Sequence, residues 1–157
     1  TGLASVAAET QHAPQLVVMA IVMAAGKTPP LGLALATVLA KSKFSYNERQ
    51  NGKAAWIMGA SFITEGAIPF AAGDPLRVIP SIMVGSAVTG ALVGMFGNEL
   101  RAPHGGIWVV GLISNPLTYL LAVLVGTFVT AFLVIIAKGI GKSESSMTDE
   151  ELEEQVA

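Results

Sequence analysis

Two long stretches without charge constrain this chain more than any other feature of its sequence. Ile107 to Ala137 is 31 residues long and Val78 to Gly97 is 20 residues long, and neither contains an ionised side chain. Because a helix rises about 1.5 Å per residue, 20 residues cross the roughly 30 Å hydrocarbon layer of a bilayer. Only 13% of the 157 residues are charged. The sequence therefore predicts an all-α, polytopic membrane protein rather than a soluble domain.

A third apolar block, Gln15 to Ala40, is long enough to cross once but contains Lys27, Pro29 and Pro30 near its middle. Proline removes a backbone donor and clashes with the preceding turn of a helix. The sequence therefore predicts a broken helix here, made of two half-helices. Broken apolar segments with sparse polar residues favour a solute-handling protein, because half-helix ends place partial charges near the bilayer midplane.

The segment from Ala54 to Gly73 is also interrupted, by Glu65 and Pro69, and is short for a spanning helix. It is predicted to form a re-entrant hairpin, whose backbone must be shielded by protein or line a wet cavity. The predicted fold is thus an all-α polytopic membrane protein with broken helices and re-entrant hairpins.

In the uncharged stretch from Val78 to Gly97, small residues recur every four positions and predict close approach of another helix. They are Ser86, Gly90 and Gly94.

Basic residues in short loops mark the cytoplasmic side of a membrane protein. Lys41 to Lys53 carries four basic residues and one acidic residue and is predicted as a polar loop, and Lys138 and Lys142 end the last apolar segment. Two crossings are therefore expected between these markers. Residues 1–142 carry nine basic and five acidic side chains and form the predicted membrane-embedded part. Residues 143–157 carry six acidic and no basic ones and form a predicted cytoplasmic tail.

Glu65 is the sharpest candidate for chemistry, since a carboxylate within an apolar hairpin is costly without a task or a partner. It can accept hydrogen bonds from sugar hydroxyls or remove a hydroxyl proton. The alternative is a protonated or capped loop carboxylate. His104 lies before two glycines that permit close backbone approach, and its imidazole offers a donor and an acceptor. The alternative for His104 is an ordinary surface-loop histidine.

Other polar residues have plainer interpretations. Arg101 either attracts a phosphate or sits at the membrane interface. Asp74 precedes a proline and is expected to cap a helix and to pair with Arg77. The two histidines are 92 positions apart and the acidic residues do not cluster with them, so neither a metal nor another cofactor is expected. The basic residues do not form a nucleic-acid footprint.

The runs FITEGAIPFAAGDPLRVIPSIMVGSAVTGAL, LRAPHGGI and APQLVVMAIVMAAGKTPPLGLALAT closely resemble the membrane-embedded IIC component of fructose-family permeases of the bacterial phosphoenolpyruvate-dependent sugar phosphotransferase system. The resemblance covers residues 13–137. It implies translocation of a ketohexose, fructose or a related sugar, coupled to its phosphorylation. Phosphate would come from a phosphocysteine on a IIB domain and originally from a phosphohistidine on a IIA domain. Because the chain has no cysteine, the IIB site is expected elsewhere.

By the same resemblance, Thr64 and Glu65 match a motif whose glutamate contacts sugar, and His104 matches the histidine of the following loop. The resemblance makes Glu65 the expected catalytic residue of this phosphotransferase component. Further substrate-site candidates are Asn115, Arg101 and Arg77. A full IIC component is about twice as long as this chain, so its N-terminal half is an expected partner. A homodimer in the bacterial cytoplasmic membrane is also implied.

Two other functions remain open from the sequence. The first is a non-transporting membrane fragment or assembly partner, stable only beside the rest of a IIC component. The second is a secondary transporter driven by protons, with Glu65 as the proton carrier.

Overall fold

The computed structural model describes residues 14–61, 63–101 and 111–140. Over these ranges the chain is almost entirely helical, apart from an isolated antiparallel bridge between Leu100 and Ile113. The α-helices are α1 (Pro14–Leu39), α2 (Tyr46–Ala60), α3 (Ile68–Gly73), α4 (Pro75–Met95) and α5 (Pro116–Gly139). Two short 3-10 helices lie at Lys41–Lys43 and Thr64–Ala67. The predicted all-α class is confirmed, and the acidic tail at 143–157 lies outside the described residues.

Three of the helices, α1, α4 and α5, are long and apolar enough to cross a membrane. They pack on one another as a three-helix bundle, and α2 packs along α1. Many large apolar side chains on the outside of the bundle remain exposed, as a membrane protein requires. The prediction of a polytopic membrane protein is therefore confirmed.

The predicted break in the first apolar block is wrong, because α1 continues without interruption through Pro29 and Pro30. Pro29 has no N–H to donate to the carbonyl of Ala25, four residues earlier. The structure supplies a donor from another helix: the Ser86 hydroxyl on α4 donates to the Ala25 carbonyl oxygen at 3.0 Å. Proline inside a membrane helix is tolerated when neighbouring helices satisfy the backbone in this way.

The predicted polar loop is wrong over its second half, because α2 already begins at Tyr46. The reason is a capping box. The Ser45 hydroxyl accepts a hydrogen bond from the Glu48 N–H at 3.2 Å, and the Glu48 carboxylate accepts one from the Ser45 N–H at 3.0 Å. The two residues satisfy donors that would otherwise be unpaired at the first turn.

The segment from the start of α2 to the start of α4 is a hairpin that leaves one end of the bundle and returns to it. Lys138, near the end of α5, lies 2.7 Å from the Glu48 carboxylate at the start of α2 and 3.8 Å from the Asp74 carboxylate before α4. Between these points the hairpin reaches the middle of α1, where a side chain on Gly26 would lie only 3.1 Å from the Thr64 hydroxyl oxygen. The structure thus agrees with the predicted re-entrant hairpin.

The ends of the helices define the order of crossings. At one end, the Lys43 ammonium donates to the carbonyl oxygen of Ile135 at 3.2 Å, which joins the two basic segments. At the opposite end, the Leu100 N–H donates to the Leu16 carbonyl oxygen at 3.1 Å. Helices α4 and α5 therefore make the two crossings that the distribution of basic residues predicts.

Small residues allow the three long helices to approach closely. The predicted stripe on α4 faces α1: besides the Ser86 hydrogen bond, added side chains on Gly90 and Gly94 would each lie 3.2 Å from Ile21. The other side of α4 packs on α5 just as closely, since a methyl group on Gly126 would overlap the Thr89 hydroxyl. The predicted small-residue contact is confirmed.

The hydrogen bond across Pro29 can be tested with a double-mutant cycle. Ser86→Ala is expected to lower the free energy of unfolding by roughly 1 kcal/mol, because the Ala25 carbonyl loses its donor. In a Pro29→Ala background the helix regains its own N–H at this position, so the same change should cost clearly less. Denaturant unfolding of the purified protein in detergent measures both costs.

Ser81→Ala is the matched control, because the Ser81 hydroxyl donates to the Arg77 carbonyl at 2.7 Å. That carbonyl already lies opposite the Ser81 N–H within α4, so less stability should be lost. An equal cost of Ser86→Ala with and without Pro29 would contradict the proposed role of Ser86.

Candidate functional site

The tip of the hairpin presents two of the predicted site residues together. Thr64 and Glu65 are both exposed in the first half of the 3-10 helix Thr64–Ala67, whereas Gly66 and Ala67 in its second half are buried. Gly66 anchors the tip, because an added side chain there would lie 3.1 to 3.2 Å from Met58 and Pro30. The buried half thus fixes the turn, while Thr64 and Glu65 stay exposed and the Thr64 hydroxyl lies near Gly26 of α1.

The Glu65 carboxylate takes no part in the ion pairs that join Asp74 to Arg77 and Lys138 to Glu48 and Asp74. A carboxylate accepts hydrogen bonds at two oxygens. With Thr64 beside it, the tip offers both acceptors and a hydroxyl that also donates. This combination suits a polyhydroxylated, uncharged ligand.

A buried lysine lies at the same level of the bundle. Lys27 is adjacent to Gly26, which contacts Thr64, and only 5% of its surface is exposed. Its ammonium nitrogen lies 4.9 Å from the centre of the Tyr119 ring on α5, which is cation–π geometry. The sequence interpretation treated Lys27 as a helix interruption and did not include it among the site residues. The signal that identifies it is a cation at the centre of an apolar helix, where an ionisable group is costly and is usually functional.

Hydroxyl groups surround this level of the bundle. The hydroxyls of Thr28 and Thr89 lie 2.8 Å apart in a fully buried hydrogen bond between α1 and α4. The Thr28 hydroxyl also donates to the Ala24 carbonyl oxygen at 3.1 Å. Together with Ser86 and Lys27, these residues form a polar layer across the middle of the bundle. The sequence interpretation missed Thr28 and Thr89, because single threonines in apolar helices carry no distinguishing pattern.

Arg77 lies away from the hairpin tip, at the basic end of the bundle. Its guanidinium is 3.0 Å from the Asp74 carboxylate, so the predicted pair is confirmed. Asp74 occupies the residue before α4, but its side chain makes no capping hydrogen bond. Its carboxylate instead lies between Arg77 and Lys138. The predicted side-chain cap is therefore wrong, because two cations are stronger partners than a backbone N–H.

Arg101 and Asn115 lie at the opposite end. Arg101 is exposed and follows Leu100, whose N–H bonds to Leu16 near the start of α1. Leu16 is ten residues from Gly26, or about 15 Å along the helix axis. Asn115 is exposed before α5, and its backbone carbonyl accepts from the Thr118 hydroxyl at 3.1 Å. Within this chain, Thr64 and Glu65 therefore share a level with Lys27, whereas three predicted residues do not: Arg77, Arg101 and Asn115.

His104 and the loop that carries it lie outside the described residues. Among the described residues, no group of three or more histidine, cysteine, aspartate or glutamate side chains is placed to hold a metal ion.

Comparison with characterised proteins finds close relatives. The chain is 60% identical over 123 residues to a "PTS system fructose-specific EIIB'BC component" of Rhodobacter capsulatus, which covers 76% of this chain and 21% of the relative. It is 51% identical over 119 residues to a "Fructose permease IIC component" of Bacillus amyloliquefaciens. This match covers 76% of this chain and 39% of the relative. It is 52% identical over 125 residues to "Fructose-like permease IIC component 2" of Escherichia coli K12. This match covers 78% of this chain and 34% of the relative.

The chain therefore spans between about a fifth and two fifths of the length of these relatives. No protein-family model matches the chain, and no solved structure matches it significantly.

The contact between Lys27 and Tyr119 predicts different effects for two substitutions of the same residue. Tyr119→Phe is expected to leave the melting temperature in detergent nearly unchanged, because the ring remains and the Tyr119 hydroxyl has no hydrogen-bond partner in the described part of the chain. Tyr119→Leu removes the ring face and is expected to cost about 2 kcal/mol, since a desolvated cation–π contact is lost.

Lys27→Met removes the cation and allows a double-mutant cycle with Tyr119→Leu. If Tyr119→Leu costs as much in the Lys27→Met background as in the original protein, the cation–π contact contributes nothing and only packing is involved.

Proposed function

Because this chain belongs, by homology over about three quarters of its length, to the fructose-family IIC permease components, we propose that it forms the part of such a permease that binds a sugar and carries it across the bilayer. The observation that supports this most strongly is the position of Thr64 and Glu65. They lie on a hairpin tip that contacts Gly26 near the mid-length of the apolar helix α1, at the level of the buried Lys27. Sites at this depth, on interrupted segments, are typical of transporters.

The substrate proposed is fructose or a closely related ketose. Its hydroxyls would donate to the Glu65 carboxylate and exchange hydrogen bonds with the Thr64 hydroxyl. Lys27 supplies a positive charge at the same level, which offsets the cost of holding a carboxylate within the bilayer. His104 is proposed to complete the site from its loop. Arg101, Asn115 and Arg77 are proposed as lesser contributors that approach the sugar in the complete permease.

The proposed chemistry is phosphoryl transfer from a IIB partner that is itself charged by a IIA partner. The oxygen of the sugar's 1-hydroxyl attacks the phosphorus of the IIB phosphocysteine. An O–P bond forms, the S–P bond breaks, the cysteine leaves as thiolate, and Glu65 takes the hydroxyl proton. The protein contributes mainly position, because a fixed sugar hydroxyl in line with the phosphocysteine needs little further organisation.

The orientation proposed follows from charge. The basic end of the bundle, which holds Lys43 and Lys138, faces the cytoplasm by the positive-inside rule. The IIB partner would meet the permease on this side, and residues 143–157 would extend into the cytoplasm. The membrane proposed is the bacterial cytoplasmic membrane, with the complete permease as a homodimer.

The central prediction concerns Glu65 in the complete permease. Glu65→Gln keeps the shape of the side chain but removes its charge and its ability to accept a proton. Phosphoenolpyruvate-dependent sugar phosphorylation, measured with purified IIA and IIB, is expected to be abolished, while membrane insertion remains intact. Glu99→Gln makes the same chemical change at the far end of the bundle and is expected to retain turnover. Near-normal turnover of Glu65→Gln would remove Glu65 from the mechanism.

A second prediction uses the absence of cysteine from this chain. Thr64→Cys, placed in the complete permease, is expected to react with a charged maleimide that does not cross lipid, because the tip faces a wet site. Saturating sugar is expected to slow this reaction at least severalfold by covering residue 64. Mass spectrometry of the peptide that contains residue 64 measures the modification.

Lys41→Cys is the control, since Lys41 is exposed at the basic end and should react equally with and without sugar. Rapid labelling of Thr64→Cys that sugar leaves unchanged would place the binding site elsewhere.

A further inference from the structure

Pro29 and Pro30 together leave two carbonyls of α1 without a helical donor. Because each helical N–H donates to the carbonyl four residues earlier, these are the carbonyls of Ala25 and Gly26. The Ser86 hydroxyl donates to the Ala25 carbonyl oxygen at 3.0 Å. Among the hydrogen bonds that join different segments of the described chain, none reaches the Gly26 carbonyl oxygen. Pro30 therefore creates a second acceptor, for which no other helix supplies a donor.

The hairpin tip lies against the turn of α1 that contains this carbonyl. A side chain on Gly26 would lie 3.1 Å from the Thr64 hydroxyl oxygen, and one on Gly66 would lie 3.2 Å from Cβ of Pro30. A helical carbonyl points along the axis toward the residue four positions later, so the Gly26 carbonyl is directed toward Pro30. The tip therefore runs beside the carbonyl, with Thr64 at one end of the turn and Gly66 at the other.

The position of Gly26 makes an unsatisfied carbonyl costly. Gly26 lies at the middle of the 26 residues of α1, where lipid and apolar side chains offer no donor. A backbone group at this depth requires a partner from protein, from water or from a ligand. Because Gly26 is only half-buried, a small polar molecule at the hairpin tip can reach this residue.

The chemistry of the carbonyl restricts the ligand. A carbonyl oxygen accepts hydrogen bonds and cannot donate them, and the carboxylate of Glu65 on the same tip is also an acceptor. A ligand that fits both groups must bring several donors and no negative charge. A neutral polyhydroxylated molecule does so, whereas a doubly ionised phosphate group has no proton to donate.

We propose that the Gly26 carbonyl is a specificity-determining acceptor in the sugar site. One sugar hydroxyl donates to it and replaces the N–H that Pro30 lacks. A sugar analogue without that hydroxyl leaves the carbonyl unsatisfied in an apolar environment and is rejected for that reason. This inference rests on the proposed function, because it adds a backbone group to the site that contains Thr64 and Glu65.

Pro30→Ala tests the proposal, because it restores the missing N–H and keeps Cβ, the atom that Gly66 approaches. The Gly26 carbonyl then has a donor within α1. Fructose binding to the purified complete permease, measured by isothermal titration calorimetry, is expected to weaken about fivefold, the effect of one lost neutral hydrogen bond. The melting temperature of the sugar-free permease is expected to stay equal or to rise, because an unsatisfied carbonyl gains a partner.

Pro29→Ala is the matched control. It restores the N–H opposite the Ala25 carbonyl, to which Ser86 already donates. Fructose affinity should therefore remain unchanged in this variant. An equal loss of affinity in Pro29→Ala and Pro30→Ala would show a general effect of removing proline from α1 and would overturn the proposal. Unchanged affinity in Pro30→Ala would overturn it as well.

A panel of monodeoxy fructoses distinguishes a lost hydrogen bond from a distorted site. One analogue is expected to bind the unaltered permease weakly and to lose no further affinity in Pro30→Ala, because the hydroxyl that donates to Gly26 is already absent. An equal loss for every analogue in Pro30→Ala would overturn the role of the carbonyl. If the unaltered permease binds no fructose, the proposed function itself is wrong, whereas fructose binding that Pro30→Ala leaves unchanged contradicts this inference alone.

Discussion

The continuity of α1 depends on tolerating two adjacent prolines in an apolar environment, and the Ala25 carbonyl is one of the groups that they leave without a helical donor. Pro29 removes the donor that the Ala25 carbonyl would have in a regular helix, and unsatisfied backbone groups in a membrane cost several kcal/mol. The Ser86 hydroxyl replaces that donor from α4. The replacement keeps α1 continuous and fixes α4 against it. Lys27 lies within this continuous stretch of α1 and is buried there.

The hairpin depends on contacts at both its tip and its base. At the tip, glycine makes the contact with α1 possible, because any side chain on Gly66 would press against Met58 and Pro30. At the base, Lys138 joins the carboxylates of Glu48 and Asp74, which begin and end the hairpin. Its side chain is only 8% exposed, so this ion pair is screened less than a surface pair. The tip is thus fixed by packing and the base by charge.

The sequence predicted what depends on local pattern. The long stretches without charge identified the crossings by α4 and α5. The recurrence of small residues every four positions identified the face of α4 that packs on α1. The Asp74–Arg77 ion pair was predictable because the two residues are three positions apart. The errors arose where distant residues decide. The helix break was wrong because the compensating donor, Ser86, lies 61 positions from Ala25. The start of α2 could have been predicted from Ser45 and Glu48, whose spacing is that of a capping box. Glu65 and His104 were candidates from their residue types and sequence context, and the resemblance added Thr64 and a role in sugar contact. The placement of Thr64 and Glu65 at the level of Lys27 required the fold.

The distribution of charge also suggests how a phosphorylated product would leave. In the proposed mechanism a neutral sugar would meet an acceptor at the hairpin tip, and after phosphorylation it would carry a charge of about −1.5 to −2 at neutral pH, as a phosphate monoester does. Once Glu65 has released the proton that it takes up in the proposed transfer, its carboxylate would repel this charge. The basic end of the bundle lies on the side from which the phosphoryl donor is proposed to arrive. The same electrostatics that weakens binding at mid-bundle would therefore favour movement toward that end, which gives the proposed transport its direction.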